Sequence, residues 1–175
     1  MSGTSVAVRP ARAADMEELW GMMREFAVYE RLEHELAGSP EALARHVLGG
    51  RWPALDCLIA EAGDELAGFA VCFGAFSTFR ARPLLWLEDV FVRERHRGRG
   101  VGLALMRAVA ALALERGCVR VDWAVLEWNQ PAIEFYRRLG ATRSGGWHTC
   151  RLEGETLRRL AGGAPGGGGA TSSTT

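Results

Sequence analysis

The sequence contains no lysine, so its 21 basic side chains are all arginines, and 21 acidic side chains bring the formal net charge to +0. Proteins that bind nucleic acids usually carry a basic excess, so the balanced charge disfavours that class. No apolar run approaches the roughly 20 residues that a membrane-spanning helix needs. The N-terminal residues MSGTSVAVRP lack the charged start and apolar stretch of a signal peptide. We therefore expect neither a nucleic acid nor a membrane as a partner.

Cysteine is also sparse. Cys57, Cys72, Cys118 and Cys150 form no Cys-x-x-Cys pair, and three of them lie in apolar stretches typical of strands. This pattern indicates buried free thiols in a reducing compartment, which predicts a cytoplasmic location. The histidines show no metal-ligand spacing, so no metal is expected.

The chain has 175 residues, of which 48% are hydrophobic, enough for one domain with a proper core. We interpret residues 1–161 as a single domain. Residues 162–175, GGAPGGGGATSSTT, have too few apolar groups to order themselves, and we expect a disordered tail.

Hydrophobic periodicity and turn residues predict a succession of strands and helices. The predicted strands cover residues 6–9, 55–61, 65–76, 84–92, 118–125 and 147–152. The predicted helices run from an N-cap at Asp15 to about residues 29–32, and over residues 40–48, 101–116, 130–139 and 153–160. The tight turn at residues 62–64 predicts an antiparallel hairpin. The strand–helix–strand order over residues 84–125 predicts a right-handed crossover between two parallel strands.

One stretch, LLWLEDVFVRERHRGRGVGL from Leu84 to Leu103, carries the clearest chemical signal. An apolar strand is followed by a basic turn and a glycine-rich entry into a helix. The glycines leave main-chain N–H groups accessible, and the helix start has unpaired amide donors and a partial positive charge. Together these features predict a phosphate site.

The spacing of the glycines distinguishes between the known types of phosphate-binding loop. A dinucleotide fingerprint, Gly-x-Gly-x-x-Gly, fails because Leu103 or Leu105 stands where its last glycine belongs. A P-loop requires Gly-Lys-Ser/Thr, and the sequence has no lysine. What remains is Arg-x-x-Gly-x-Gly after a strand. A glycine-rich turn that binds no ligand stays open as the alternative at this point.

The Arg-x-x-Gly-x-Gly loop resembles the pyrophosphate loop of the GNAT N-acetyltransferases. The segment Asn-x-x-Ala-x-x-Phe-Tyr-x-x-x-Gly-Ala, from Asn129 to Ala141, resembles the second half of the family pattern, about 30 residues later. This resemblance implies an α/β (α+β) fold with a mixed, mostly antiparallel twisted sheet of about six or seven strands flanked by helices. It also implies a parallel βαβ unit that binds acetyl-CoA.

Further segments are similar to the diamine acetyltransferases of the spermidine/spermine and thialysine types, up to about Leu160. These segments are Val8-Arg9-Pro10-Ala11, Ala13-Ala14-Asp15, Tyr29-Glu30, Leu87-Glu88-Asp89 and Glu127-Trp128-Asn129. The resemblance implies acetyl transfer from acetyl-CoA to a primary amine of a small polyamine, diamine or basic amino acid, by direct attack. It also implies a homodimer, which sedimentation would test. An antibiotic or a protein N-terminus as the substrate, and a non-catalytic acetyl-CoA-binding module, are the alternatives.

The resemblance assigns roles residue by residue. The main chain of Val90, Phe91 and Val92 is expected to hold the pantetheine arm. The expected pyrophosphate ligands are Arg97, Gly98, Arg99, Gly100, Val101, Gly102 and Leu103. Asn129 and Ala132 are expected to lie along the cofactor.

The reaction itself has physical demands. An amine with a pKa near 10.4 is protonated at pH 7 and must lose a proton before it can attack a thioester. Glu88 matches the family position that draws this proton through water, and Tyr136 matches the general acid that protonates the leaving thiolate. A tyrosine that merely packs its helix on the sheet is the alternative for Tyr136. Because Glu88 and Asp89 are adjacent in a strand, we expect them on opposite faces.

The substrate is expected to contact an acidic and aromatic set: Tyr29, Glu30, Glu33, Asp89 and Trp147. A solvated helix end is the alternative for the acidic cluster Glu30, Glu33 and Glu35. The loop from Ser77 to Arg82 is basic, unlike that of the diamine enzymes, and Ser144-Gly145-Gly146 replaces their acidic pair before the late tryptophan. These departures favour a less cationic amine than spermine. They also favour a carboxylate-bearing amine such as thialysine, lysine or ornithine, whose carboxylate Arg80 or Arg82 would meet.

Overall fold

The computed structural model describes residues 5–146 and 149–162. The chain divides into two compact units, Met1–Leu126 and Glu127–Thr175. The expected substrate residue Trp147 and the predicted tail from residue 163 onward lie outside the described residues.

The first unit contains a mixed sheet, which confirms the predicted fold class. Its five strands are β1 (Val6–Pro10), β2 (Asp56–Ala62), β3 (Glu65–Ser77), β4 (Arg82–Val92) and β5 (Val121–Asp122), in the spatial order β1-β2-β3-β4-β5. The first three pairings are antiparallel and the β4–β5 pairing is parallel, as predicted. The described residues form fewer strands than the expected six or seven. Residues 149–152, where the sequence predicts the end of a last strand, have no regular secondary structure.

The helices follow the predicted boundaries closely. They are α1 (Met16–Glu30), α2 (Pro40–Val47), α3 (Val101–Glu115), α4 (Gln130–Arg138) and α5 (Gly154–Leu160). Ser39 caps α2 through its hydroxyl oxygen, which accepts a hydrogen bond from the Ala42 amide at 3.2 Å. Within the described residues, no helix has the length and apolar character required to cross a membrane.

Asp15 does not cap α1 as the sequence predicts. Its carboxylate makes no hydrogen bond to the first turn of α1. Instead it accepts hydrogen bonds from the Arg12 amide at 2.6 Å and from the Arg9 guanidinium at 2.7 and 2.9 Å. The Arg9 guanidinium holds the pKa of the Asp15 carboxyl below its ordinary value. Asp15 therefore connects β1 to the start of α1. It does so instead of capping α1, because the nearby Arg9 guanidinium forms stronger, charge-assisted hydrogen bonds with its carboxylate.

The sheet of the first unit has an apolar core on each face. The core on the α3 face contains Leu85 and Leu87 of β4 with Leu105 and Val109 of α3. The core on the α1 face includes Leu19 and Met22 of α1 with Ile59, Phe69, Val71 and Phe91 of the sheet. The face on which a β4 side chain lies can therefore be read from the core that it joins.

The sequence predicts a parallel strand over residues 118–125, but only Val121 and Asp122 pair with β4. Their partners are Leu85 and Trp86, and β4 continues to Val92 without them. Two residues after Trp86, the β3–β4 register shifts. A bulge of this kind bends and twists a strand locally, which accounts for the early end of the parallel pairing.

At Gly68, the main chain of β4 leaves no room for a side chain on β3. A Cβ atom on Gly68 would lie 2.4 Å from the Phe91 carbonyl oxygen and 3.4 Å from Leu105 Cδ1. At Gly74 on the same strand, a Cβ atom would meet no atom within 4 Å. A side chain is therefore excluded at one position of β3 and tolerated at the other.

We predict that Gly68→Ala destabilises the protein by about 1–3 kcal/mol, because the added methyl group forces β3 away from β4. Gly74→Ala is the matched control, and its change should stay within about 0.5 kcal/mol. Urea denaturation of the two variants measures both values. Equal midpoints for Gly68→Ala and the wild type would contradict the close approach.

Candidate functional site

The C-terminal half of β4 has a free edge. From Leu87 to Val92, β4 pairs with β3 on one side and with no strand of the described residues on the other. Main-chain N–H and C=O groups along such an edge are available to an extended ligand, as in β-augmentation. The expected pantetheine residues, Val90 to Val92, lie on this edge.

The glycine loop follows directly after this free edge. Gly98 and Gly100 have φ angles of +71° and +85°, a conformation that side chains rarely adopt. Gly100 is the N-cap of α3, and no side chain caps the helix there. The first amides of α3, from Val101 onward, are therefore free of a side-chain acceptor and accessible to an anion.

The loop is anchored at its base by a buried arginine. The Arg93 guanidinium bonds to Glu18 at 2.8 Å, to Glu25 at 3.0 Å and to the Leu66 carbonyl oxygen at 3.0 Å. The Arg93 amide also donates to the Ala67 carbonyl oxygen at 2.9 Å. These bonds join the end of β4 to α1 and to the start of β3, which fixes the direction in which the loop leaves the sheet.

The three arginines of the loop have different surroundings. Arg95 pairs with Glu65 at 2.9 Å, and His96 bonds to the same carboxylate at 3.0 Å. The Arg97 Nε donates to the Val92 carbonyl oxygen at 3.0 Å. Arg99 is exposed, and none of the described residues pairs with it. Arg99 is therefore the loop arginine that stands ready for an external anion such as a phosphate.

The register shift in β4 places Glu88 in a bulge. Leu87 pairs with Cys72 and Asp89 pairs with Val71, so Glu88 has no partner on β3. Because directly paired residues share a face, Asp89 lies with Val71 on the α1 face. Trp86 pairs with Phe73, which follows Cys72 of the core on the α3 face and therefore lies on the α1 face. Glu88, two residues after Trp86, accepts a hydrogen bond from Trp86 Nε1 at 2.8 Å. The expectation that Glu88 and Asp89 lie on opposite faces is therefore wrong, because the bulge breaks the alternation.

Asp89 is the most perturbed carboxyl group of this region. It is half-buried, and among the described residues no hydrogen bond or ion pair reaches its carboxylate. Burial raises the pKa of Asp89 to about 7, and the negative charges of Glu88 and Glu30 add to the effect. A carboxyl group that titrates near pH 7 can exchange a proton under physiological conditions.

Tyr29 and Glu30, in the last turn of α1, lie beside this region. The Arg97 guanidinium carbon stands 4.5 Å from the centre of the Tyr29 ring and 5.8 Å from that of Phe91, which indicates a cation–π contact. Burial raises the pKa of Glu30 above its ordinary value. The structure thus brings Tyr29, Glu30 and the acidic bulge together with the start of the glycine loop.

Glu33 is placed differently. It lies on a short 3-10 turn after α1, is exposed, and lines a hollow of about 360 Å³ together with Trp20 and Arg24. The lining of that hollow does not include Glu88 or Asp89. The acidic cluster predicted from the sequence is therefore divided, with Glu30 beside β4 and Glu33 in separate surroundings.

Arg80 and Arg82 lie at the far end of β4 from the bulge. Seven residue steps separate Arg82 from Asp89 on β4, which corresponds to about 20 Å at the usual strand rise. Side chains stand roughly perpendicular to a sheet, so the Arg82 and Asp89 side chains do not extend along β4 toward each other. The structure does not favour Arg82 as a partner for the carboxylate of a molecule whose amine lies at Asp89.

The second unit holds the other expected site residues on and before α4. The Asn129 side-chain oxygen accepts a hydrogen bond from the Ala132 amide at 3.3 Å and caps α4. Tyr136 is half-buried, and its ring centre lies 5.4 Å from that of Phe135. Asn129, Ala132 and Tyr136 are therefore fixed relative to one another by a single short helix.

These features can be compared with known proteins. Residues 17–141 match the sequence profile of the acetyltransferase (GNAT) family. The chain belongs to this family. The thialysine N-epsilon-acetyltransferase of Sus scrofa is 37% identical over 169 residues, which cover 90% of this chain and 98% of the relative. An L-ornithine N5-acetyltransferase of Arabidopsis thaliana is 40% identical over 95 residues, covering 54% of this chain and 42% of that protein.

Solved structures agree with the family assignment. An integron cassette protein from the mobile metagenome of V. cholerae matches this GNAT protein with a TM-score of 0.72 and 27% identity, covering 91% of this chain and 99% of that chain. The resemblance predicted from the sequence is confirmed, and the protein is an N-acetyltransferase that acts on an amine. The family fold implies acetyl-CoA as the cosubstrate.

The glycine loop fits a diphosphate group. Cβ atoms built on Gly98 and Gly100 would point into space with no atom within 4 Å. A ligand can therefore approach the main chain there, beside the free amides of α3 and the unpaired Arg99. A side chain at either glycine would fill the space that the ligand requires.

We predict that Gly100→Ala weakens acetyl-CoA binding at least about tenfold, or about 1.4 kcal/mol. The methyl group either occupies the phosphate position or forces the backbone out of its positive φ angle, which turns the amides away. Isothermal titration calorimetry with acetyl-CoA measures the change.

Gly117→Ala is the matched control, because Gly117 lies just after the other end of α3 and has a φ angle of +67°. It should cost similar stability and leave the affinity for acetyl-CoA unchanged. Equal affinities of the Gly100→Ala variant and the wild type would contradict the assignment of the loop.

Proposed function

We propose that this protein acetylates a primary amine of a small diamine or basic amino acid, with thialysine-like amino acids as the preferred class. The observation that carries the proposal is the grouping of Glu30, Glu88 and Asp89 on one face of the sheet, beside the free edge of β4. Three carboxyl groups in one place attract a cation and give it partners along its length. Similarity to the thialysine N-epsilon-acetyltransferase over 90% of the chain supports the same class.

The main chain of β4 and of the glycine loop holds and orients the cosubstrate in this proposal. Acetyl-CoA supplies the acyl group as an activated thioester. The free edge from Val90 to Val92 receives an extended pantetheine arm through backbone hydrogen bonds, and the amides after Gly98 receive the diphosphate. An N–H group of the Leu87–Val92 segment is the natural donor to the carbonyl oxygen, where negative charge develops.

Side chains carry the proton transfers. The cationic amine must lose a proton before it attacks, and the family pattern gives Glu88 the role of accepting that proton through water. The same pattern gives Tyr136 the role of donating a proton to the thiolate that leaves. A phenol hydroxyl suits this role, because it can donate its proton to a thiolate through a direct hydrogen bond.

The acidic side chains also limit the choice of amine. Glu33 lies apart from Glu30, and the hairpin turn between β3 and β4 carries Arg80 rather than an acidic side chain. Fewer negative charges are thus available to the distal end of a long polyamine. We therefore expect the protein to prefer a compact substrate with one or two positive charges over spermine.

We predict thiol release from acetyl-CoA with thialysine, lysine or ornithine, at a higher kcat/KM than with spermidine or spermine. A thiol-trapping assay across polyamines, basic amino acids and their thia analogues measures this order. Acetyl-CoA without an amine is the blank. The absence of turnover with every primary amine would remove the proposal, and a strong preference for spermine would remove its substrate class.

Tyr136→Phe is the informative variant in the same assay, because it removes the phenol hydroxyl and keeps the ring against Phe135. Its kcat should fall by about 10²-fold or more, the usual contribution of a general acid. Its affinity for acetyl-CoA, measured by calorimetry, should stay unchanged. An unaltered kcat would leave Tyr136 with a packing role only.

A further inference from the structure

Arg97 lies between the two binding regions of the proposed function. Its guanidinium carbon stands 4.5 Å from the centre of the Tyr29 ring and 5.8 Å from that of Phe91. Phe91 belongs to the core on the α1 face, and Tyr29 packs against that core. Phe91 follows Asp89 by two residues on β4, so about 7 Å separates their backbones at the usual strand rise. The guanidinium therefore lies on the face that carries the proposed amine site.

The same side chain also reaches the free edge of β4. The Arg93 amide donates to the Ala67 carbonyl oxygen of β3 at 2.9 Å. In a trans peptide unit the carbonyl of the preceding residue points the opposite way, so the Val92 carbonyl oxygen points toward the free edge. Arg97 Nε donates to this oxygen at 3.0 Å. The bond fixes the Arg97 guanidinium where the free edge passes into the glycine loop.

The two terminal nitrogens of Arg97 are open to a ligand. In the part of the chain that the structure describes, no hydrogen bond or ion pair reaches them. A guanidinium has five N–H donors, and the bond to Val92 uses only the one on Nε. The terminal nitrogens can therefore bind a phosphate group while Nε stays on Val92. A phosphate group bound there neutralises the positive charge that lies against Tyr29.

We propose that Arg97 couples the two substrates, so that bound coenzyme A strengthens the binding of the amine. This inference rests on the proposed function, since it requires an ammonium group beside Tyr29 and a diphosphate at the glycine loop. The guanidinium alone repels a second cation from Tyr29. The diphosphate cancels this repulsion and leaves Glu30, Glu88 and Asp89 to attract the ammonium group. Because coupling of this kind is reciprocal, the amine strengthens the binding of coenzyme A by the same factor.

A purely structural role for Arg97 predicts a different result. If the side chain only held Tyr29 and the loop in place, its removal would weaken amine binding with or without coenzyme A. If its charge couples the sites, removal of the charge strengthens amine binding when coenzyme A is absent. Arg97→Gln separates the two cases. The glutamine side-chain nitrogen follows Cδ, as Nε of arginine does, so it can still donate to the Val92 carbonyl oxygen but carries no charge.

Isothermal titration calorimetry with thialysine as the probe, with and without saturating coenzyme A, measures the coupling. Coenzyme A carries no acyl group, so no turnover occurs. For the wild type, coenzyme A should tighten thialysine binding at least about fivefold. In Arg97→Gln, thialysine should bind more tightly than to the wild type when coenzyme A is absent, and the coupling factor should fall close to one.

Arg99→Gln is the matched control, because it removes a loop cation with which none of the described residues pairs. It should weaken the binding of coenzyme A and keep the coupling factor of the wild type. Arg97→Lys keeps a positive charge and should keep most of the coupling. An unchanged coupling factor in Arg97→Gln, or weaker thialysine binding to that variant without coenzyme A, would overturn the inference.

A second readout does not depend on which amine is the substrate. The chain has two tyrosines, Tyr29 and Tyr136, so 3-fluorotyrosine labelling gives two fluorine resonances, which the Tyr136→Phe variant assigns. Coenzyme A alone should move the Tyr29 resonance in the wild type much more than in Arg97→Gln, because the diphosphate changes the charge against that ring.

This resonance distinguishes failure of the inference from failure of the proposed function. If thialysine binds under neither condition, the substrate class of the proposed function fails. A Tyr29 resonance that still moves with coenzyme A through Arg97 then supports the coupling for another amine. A Tyr29 resonance that stays unmoved while calorimetry shows coenzyme A to be bound would overturn the inference, whichever amine is acetylated.

Discussion

The parting of β4 from β5 is the constraint on which the rest of the site depends. A strand inside a sheet has its main-chain N–H and C=O groups paired on both sides, so these groups are not available to a ligand. Here the parallel pairing ends at Trp86, the bulge at Glu88 follows, and β4 runs on to Val92 with one edge free. The same bulge turns two adjacent carboxylates toward one face. One local irregularity therefore creates both a strand edge with free main-chain groups and an acidic region beside it, the two features on which the proposed function rests.

The surroundings of β4 hold this irregularity in place. Gly68 lets β3 come close to Phe91, and the buried Arg93 ties the end of β4 to Glu18 and Glu25 of α1. Buried charges are stabilised only when they are paired, so α1 cannot shift without exposing or breaking these bonds. Arg97 stacks on Tyr29 in the last turn of α1. The end of α1 and the glycine loop are thus connected through side chains of the loop itself.

Much of this arrangement could be predicted from the sequence, because it depends on local signals. Glycine spacing identified the loop at residues 97–102. The sequence also predicts helices that begin at residues 40 and 130, and the structure confirms both starts. The bulge could not be predicted, since LLWLEDVFV reads as a regular strand and the shift depends on how β3 pairs with it. Three other features could not be predicted for the same reason: the short length of β5, the binding of Arg9 by Asp15, and the raised pKa of Asp89. Each depends on a neighbour that is distant in the sequence.

In the proposed function, the free edge of β4 and the amides after Gly98 together bind the coenzyme A portion of acetyl-CoA. Backbone amide chemical shifts, followed by NMR while coenzyme A is titrated into isotope-labelled protein, test it most directly. The largest changes should fall on residues 90–92 and 98–103, with little change around Trp20 and Arg24 in the hollow beside α1. Changes concentrated at that hollow, with the β4 edge and the glycine loop unmoved, would contradict the account.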